Sequence, residues 1–99
     1  FDEKNETDNY LFELEKVIQL RKLEPSESSY TSRLFAKGIN KIAQKVGEEA
    51  VELVIEAKDD NDDLFKNEAA DLLYHLLVLL AAKNVDLEEV IGTLKERKR

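Results

Sequence analysis

From Phe35 to Ala57, the apolar residues Phe35, Ile39, Ile42, Val46, Ala50, Leu53 and Ala57 recur at gaps of three and four. That spacing draws one continuous stripe along an α-helix. A second segment, Ala69 to Ala82, is apolar except for Asp71 and His75, and its leucines cover nearly the whole circumference. A helix apolar all round is expected at the centre of a bundle. With one Pro and three Gly in 99 residues, the chain has too few turn-formers for a many-stranded sheet. The sequence is therefore read as all-α, a bundle of four to five helices forming a single domain over residues 1–99, with residues 1–7 frayed. A domain of this size buries only about two thirds of its unfolded surface, so a further interface would stabilise it.

Punctuation divides the chain. Asp8 is the expected N-cap of a helix over 9–22, with Leu11, Leu14, Val17 and Ile18 at helical spacing. A connector over 23–29 holds Pro25 and three serines, Ser29 caps a second helical region, and Gly38 divides that region into a short and a long helix. Gly47 lies inside the long stripe, either as a harmless surface glycine or as a point of close approach. In the acidic turn Asp59–Asp63, Asp62 or Asp63 is expected to cap a helix over 64–83. Asp86 and Glu89 have capping-box spacing at the head of a last helix over 87–98.

Charge narrows the partners. Fifteen Lys and Arg against 22 Asp and Glu give a net charge of -7. This argues against a nucleic-acid backbone or an anionic membrane as partner. The absence of Cys excludes disulfide and thiolate chemistry and fits a reducing, cytoplasmic setting. The segment 69–82 is shorter than the ~20 residues that span a bilayer.

The acids are distributed unusually. Glu48, Glu49, Glu52 and Glu56 form a band with no Lys among them, where a solvated face would mix signs. Glu68, Asp71 and His75 fall on one narrow strip of the leucine-rich helix. Unpaired carboxylates in such a place require a cation. Glu49 and Glu52 on one helix, and Glu68 and Asp71 on the next, are each spaced i, i+3. A short connector would set these helices antiparallel and bring four carboxylates together. Hard oxygen ligands without thiols favour Mg²⁺ or Mn²⁺ over Zn²⁺. Surface charge and helix caps are the alternative. Lys37, Lys41 and Lys45, with Arg33 one turn earlier, are either ordinary surface cations or a phosphate clamp. His75 is a core histidine with a satisfied hydrogen bond, or else a ligand or proton carrier.

Three strings carry a resemblance: Ser29–Gly38 (SYTSRLFAKG), Lys45–Glu52 (KVGEEAVE) and Asn67–Leu77 (NEAADLLYHLL). Together they resemble the phosphoribosyl-ATP pyrophosphohydrolase family of histidine biosynthesis, over about residues 10–97. That family belongs to the all-α nucleoside-triphosphate pyrophosphatases, whose Glu-x-x-Glu and Glu-x-x-Asp motif matches Glu49, Glu52, Glu68 and Asp71. The resemblance implies Mg²⁺-dependent hydrolysis of phosphoribosyl-ATP to phosphoribosyl-AMP and pyrophosphate by a bundle that dimerises through its long helices. The four acids would hold the metal, and one of Glu48, Glu49 or Glu52 would orient or deprotonate the water. Lys45 with Lys37 or Arg33 would stabilise the departing pyrophosphate, and His75 would join the substrate contacts. In many organisms such a domain follows a phosphoribosyl-AMP cyclohydrolase domain, and the non-Met start leaves that arrangement open here. The rivals are a house-cleaning pyrophosphatase using the same acids on another nucleotide, and a helical interaction module without catalysis.

Overall fold

The computed structural model describes the backbone of residues 6–97 and the side chains of residues 10–97. Five helices follow one another: α1 Glu6–Leu23, α2 Tyr30–Lys37, α3 Ile39–Ala57, α4 Asp62–Ala82 and α5 Leu87–Glu96. The all-α bundle expected from the sequence is what forms. Helices α3 and α4 make the main pair, α1 lies against α4, and α2 packs on α1, α3 and, to a smaller extent, α4. The core is small, consisting of Ile18 of α1, Leu34 of α2, Ile42 of α3 and Leu77, Val78 and Ala81 of α4. Leu11, Leu14, Phe35, Tyr74, Leu79 and Leu80 pack around it.

Local chemistry explains most boundaries. The Ser29 hydroxyl accepts the Ser32 N–H at 3.1 Å and starts α2 as expected. Ser32 is itself buried and donates to the Arg21 carbonyl at 3.0 Å, which ties the head of α2 to the end of α1. Gly38 separates α2 from α3 at φ 97°, ψ 167°, a conformation that L side chains rarely adopt. The capping box of α5 is present, with the Asp86 N–H donating to Glu89 Oε2 at 3.3 Å. Glu15 of α1 accepts the Leu87 N–H at 2.7 Å and anchors α5 from across the bundle.

Three expectations need correction. Helix α1 starts at Glu6, so Asp8 lies inside its first turn and does not cap it, while residues 1–5 of the expected frayed segment lie outside the described residues. The cap of α4 is Asn61, whose side chain accepts the Leu64 N–H at 3.1 Å. Asp62 and Asp63 occupy the first turn, where their charge complements the helix dipole. In the single chain α4 is not enclosed on all sides, because Leu73 and Leu76 are exposed. On α3, Val51, Val54 and Ile55 are likewise exposed.

A Cβ at residue 38 would meet no atom within 4 Å, so a Gly38→Ala cost would come from the backbone alone. That substitution is expected to lower stability by about 1–3 kcal/mol, read as a shift in the urea midpoint with an unchanged slope.

Candidate metal centre and active site

The acids converge where α3 and α4 run side by side. One carboxylate oxygen from each of Glu49, Glu68 and Asp71 lies within 4.8 Å of the others. Glu49 is the deepest at 7% exposure, Glu68 is half-buried and Asp71 is exposed. Glu52 stands beside Glu68 and is the main cause of the rise in its carboxyl pKa. The pairings of 49 with 71 and 52 with 68 are those of antiparallel helices, as the short connector requires.

Like charges so close oppose joint ionisation. The Glu68 carboxyl is pushed up to about 7 from an ordinary 4.5, chiefly by its hydrogen bond to Glu52, then by desolvation, then by the charges of Glu52, Glu49 and Asp71. Oε1 of Glu49 and Oε1 of Glu68 are buried without a hydrogen-bond partner among the described residues. Oε1 of Glu56, one turn beyond Glu52, shares this condition. Buried acceptor oxygens of this kind are lone pairs without protons to bind. Three converging carboxylates, two with such an oxygen, fit a hard divalent cation, which takes oxygen ligands and offsets the repulsion. Glu49, Glu68 and Asp71 are thus the residues that could hold a metal ion, with Glu52 adjacent.

The cations divide into near and far. Lys45 Nζ lies 3.6 Å from Glu49 Oε2 and 3.8 Å from Glu48 Oε1, at the edge of the cluster. Burial works to lower its ammonium's pKa, but Tyr30, Glu49 and Glu48 outweigh burial and leave it raised. Glu48 is exposed and accepts from Gln44 Nε2 at 2.8 Å, a bond that, with Lys45 and Lys41, holds its carboxyl below the usual range. Arg33 turns away and donates to the Glu27 carbonyl at 2.9 Å in the α1–α2 connector. Lys37 is exposed in the last turn of α2.

His75 is buried, one turn beyond Asp71. Its Nδ1 lies 2.8 Å from the Asp71 carbonyl oxygen and its Nε2 2.8 Å from the Tyr30 hydroxyl. Tyr30 and Tyr74 stack at 6.3 Å with a 27° interplanar angle, and both rings stand perpendicular to that of His75. The Tyr74 hydroxyl bonds Thr31 Oγ1. Sequence reasoning gave Tyr30, Thr31 and Tyr74 no role. They lie more than 40 residues from their partners on α4 or α2, and no local spacing reports such a pairing.

Fold and site together define an all-α bundle whose two principal helices present a carboxylate cluster suited to a divalent cation. The phosphoribosyl-ATP pyrophosphohydrolase family profile matches residues 11–98. The chain is 54% identical over 87 residues to the phosphoribosyl-ATP pyrophosphatase of Listeria monocytogenes, covering 88% of this chain and 84% of that one. It is 48% identical over 98 residues to the histidine biosynthesis bifunctional protein HisIE of Caldanaerobacter subterraneus, covering 98% of this chain and 48% of that one. To the bifunctional protein of the same name in Bacillus subtilis it is 52% identical over 85 residues, 86% of this chain and 41% of that one. The chain belongs to the phosphoribosyl-ATP pyrophosphohydrolase family, and as a member it is a hydrolase.

The raised carboxyl of Glu68 makes metal-free stability depend on pH. Because the folded state holds this proton more tightly than the unfolded chain does, the group's contribution is full below about 4.5 and is lost as pH rises through about 7. In chelator, the melting temperature should fall between pH 5 and 8, and Glu68→Gln should flatten that fall.

Proposed function

We propose that the protein hydrolyses phosphoribosyl-ATP to phosphoribosyl-AMP and pyrophosphate, the second step of histidine biosynthesis, using Mg²⁺, with Mn²⁺ as a substitute. The observation that carries this reading is the convergence of Glu49, Glu68 and Asp71 from two helices, with buried acceptor oxygens on Glu49 and Glu68. The names and identities of the relatives support the substrate.

In the reaction a water oxygen attacks the α-phosphorus, the bond to the α–β bridging oxygen breaks, and pyrophosphate departs with the electron pair. Glu49, Glu52, Glu68 and Asp71 would hold the metal. When bound, the metal supplies Lewis-acid polarisation of the phosphoryl oxygens and acidifies bound water. One of Glu48, Glu49 or Glu52 would orient the attacking water or take its proton. Lys45, already at the cluster's edge, would neutralise charge on the departing pyrophosphate, with Lys37 or Arg33 as its second cation. His75 is grouped with the substrate-binding residues, which it joins through its hydrogen bond to Tyr30.

We read residues 1–99 as one such domain, acting in the cytoplasm as a homodimer, with a cyclohydrolase domain as fusion partner or associate. For the dimer, the support is the exposed Val51, Val54 and Ile55 of α3 and Leu73 and Leu76 of α4. Gly47, Val51 and Ile55 form an open face of α3 beside Glu48 and Glu52. A Cβ at Gly47 would meet nothing within 4 Å, so packing within this chain gives no reason for a glycine there. Among the described residues no helix is long and apolar enough to cross a membrane.

The test is pyrophosphate release from phosphoribosyl-ATP and a panel of ordinary and non-standard nucleotides, with and without Mg²⁺. Phosphoribosyl-ATP should be preferred, and Glu49→Ala or Asp71→Ala should abolish turnover with helical circular dichroism retained. Full activity in both variants would sink the metal assignment, and preference for a deoxynucleotide would sink the substrate.

A further inference from the structure

His75 is a costly residue for its position. It lies among leucines on α4 at 5% exposure, where an apolar side chain would pack without polar atoms to satisfy. Both of its nitrogens are used, and in one direction. A carbonyl oxygen only accepts, so the Nδ1 that faces Asp71 O at 2.8 Å carries the proton. In the neutral ring Nε2 is then the acceptor, and the Tyr30 hydroxyl 2.8 Å away must donate to it. The phenol oxygen has thereby spent its only proton and has acceptor capacity alone for anything else.

Its placement is equally defined. Along the antiparallel pair, Lys45 of α3 and His75 of α4 each stand one turn from Glu49 and Asp71 on the same side, about 5 Å along the cleft. Tyr30, the first residue of α2, reaches His75 at that level. Its ring stacks on Tyr74, which is anchored by Thr31, and the residue remains 44% exposed. Phosphate oxygens are acceptors, so an acceptor-only oxygen does not recognise them. It recognises a donor: on the protein side the Lys45 ammonium, which interacts with Tyr30, is one, and in the proposed substrate the hydroxyl donors nearest the scissile phosphate belong to a ribose.

We propose that Tyr30 is a specificity-determining residue that accepts a hydrogen bond from a 2′- or 3′-hydroxyl of the ribose carrying the triphosphate, and that His75 is the positioning residue that aims it. This rests on the reading above that the site takes phosphoribosyl-ATP. His75 then contributes to substrate recognition through Tyr30 and offers the substrate no nitrogen of its own.

The test is steady-state kinetics of the wild type, Tyr30→Phe, His75→Leu and His75→Gln. The substrates are phosphoribosyl-ATP and the analogues made from 2′-deoxy-ATP and 3′-deoxy-ATP. Mg²⁺ affinity is followed by calorimetry. Tyr30→Phe keeps the stacked ring and should raise KM about five- to tenfold, the scale of one hydrogen bond, with a smaller change in kcat and unaltered Mg²⁺ affinity. The wild type should discriminate against one of the deoxy analogues by a similar factor, and Tyr30→Phe should lose that discrimination. His75→Leu should reproduce Tyr30→Phe, while His75→Gln, which keeps an acceptor oxygen, should recover most of the loss. Unchanged KM in Tyr30→Phe, or undiminished discrimination, would overturn the proposal even if His75→Leu fails to fold. A wild type that releases no pyrophosphate from phosphoribosyl-ATP refutes the substrate reading instead, so the two failures are distinct.

Discussion

Mutual repulsion among carboxylates is the constraint around which this bundle is arranged. Glu49, Glu68 and Asp71 are brought within 4.8 Å of one another by the same packing that buries Ile42, Leu77 and Val78. The metal-free protein relieves the repulsion partly by proton retention, since Glu68 is raised to about 7 by Glu52 and its neighbours. Lys45 relieves it further from the edge. Neither device satisfies the buried oxygens of Glu49 and Glu68. A bound divalent cation would do all of this at once, because its charge and its demand for oxygen ligands match what the two helices present. On this view a chain with a charge of -7 reaches a polyanionic substrate by inverting its local field.

The other elements hold that pair and build outward from it. Helix α1 supplies Ile18 to the core, and Lys22 donates to the Ala81 carbonyl at 2.8 Å and Asn84 Oδ1 at 2.7 Å, closing the end of α4. Gly38 lets α2 turn sharply into α3, so that the short helix lies on the long one and its first residue reaches α4. Tyr30, His75 and the Asp71 carbonyl thus link the cap at Ser29, the register of α4 and the rim of the carboxylate cluster.

Much of this was legible in the sequence because the determining interactions are local or periodic. Gaps of three and four residues gave α3, Ser29 and Gly38 gave α2, and the Asp86–Glu89 spacing gave the head of α5. Acids at i, i+3 on two helices joined by a short connector pointed to the cluster without any coordinates. The failures have equally physical causes. Asn61 took the cap of α4 from a run of neighbouring aspartates, all of them chemically competent, because the choice turns on one residue's backbone conformation. Leu73 and Leu76 read as buried, since periodicity cannot distinguish a face covered within the chain from one left exposed. Contacts across a loop were equally out of reach: the Arg33 guanidinium donates to the Glu27 carbonyl, which a helical wheel does not show. The bond between Tyr30 and His75 spans 45 residues and depends on how α2 crosses α4, which no pattern of spacing records.

The central claim is that the α3–α4 carboxylates form a divalent-cation site. Its most direct test is anomalous diffraction from crystals grown with Mn²⁺. The account predicts a peak coordinated by Glu49, Glu68 and Asp71, with Glu52 alongside and the peak lost in Asp71→Asn. Mn²⁺ found instead at the acidic turn Asp59–Asp63, or no ordered ion between α3 and α4, would contradict it.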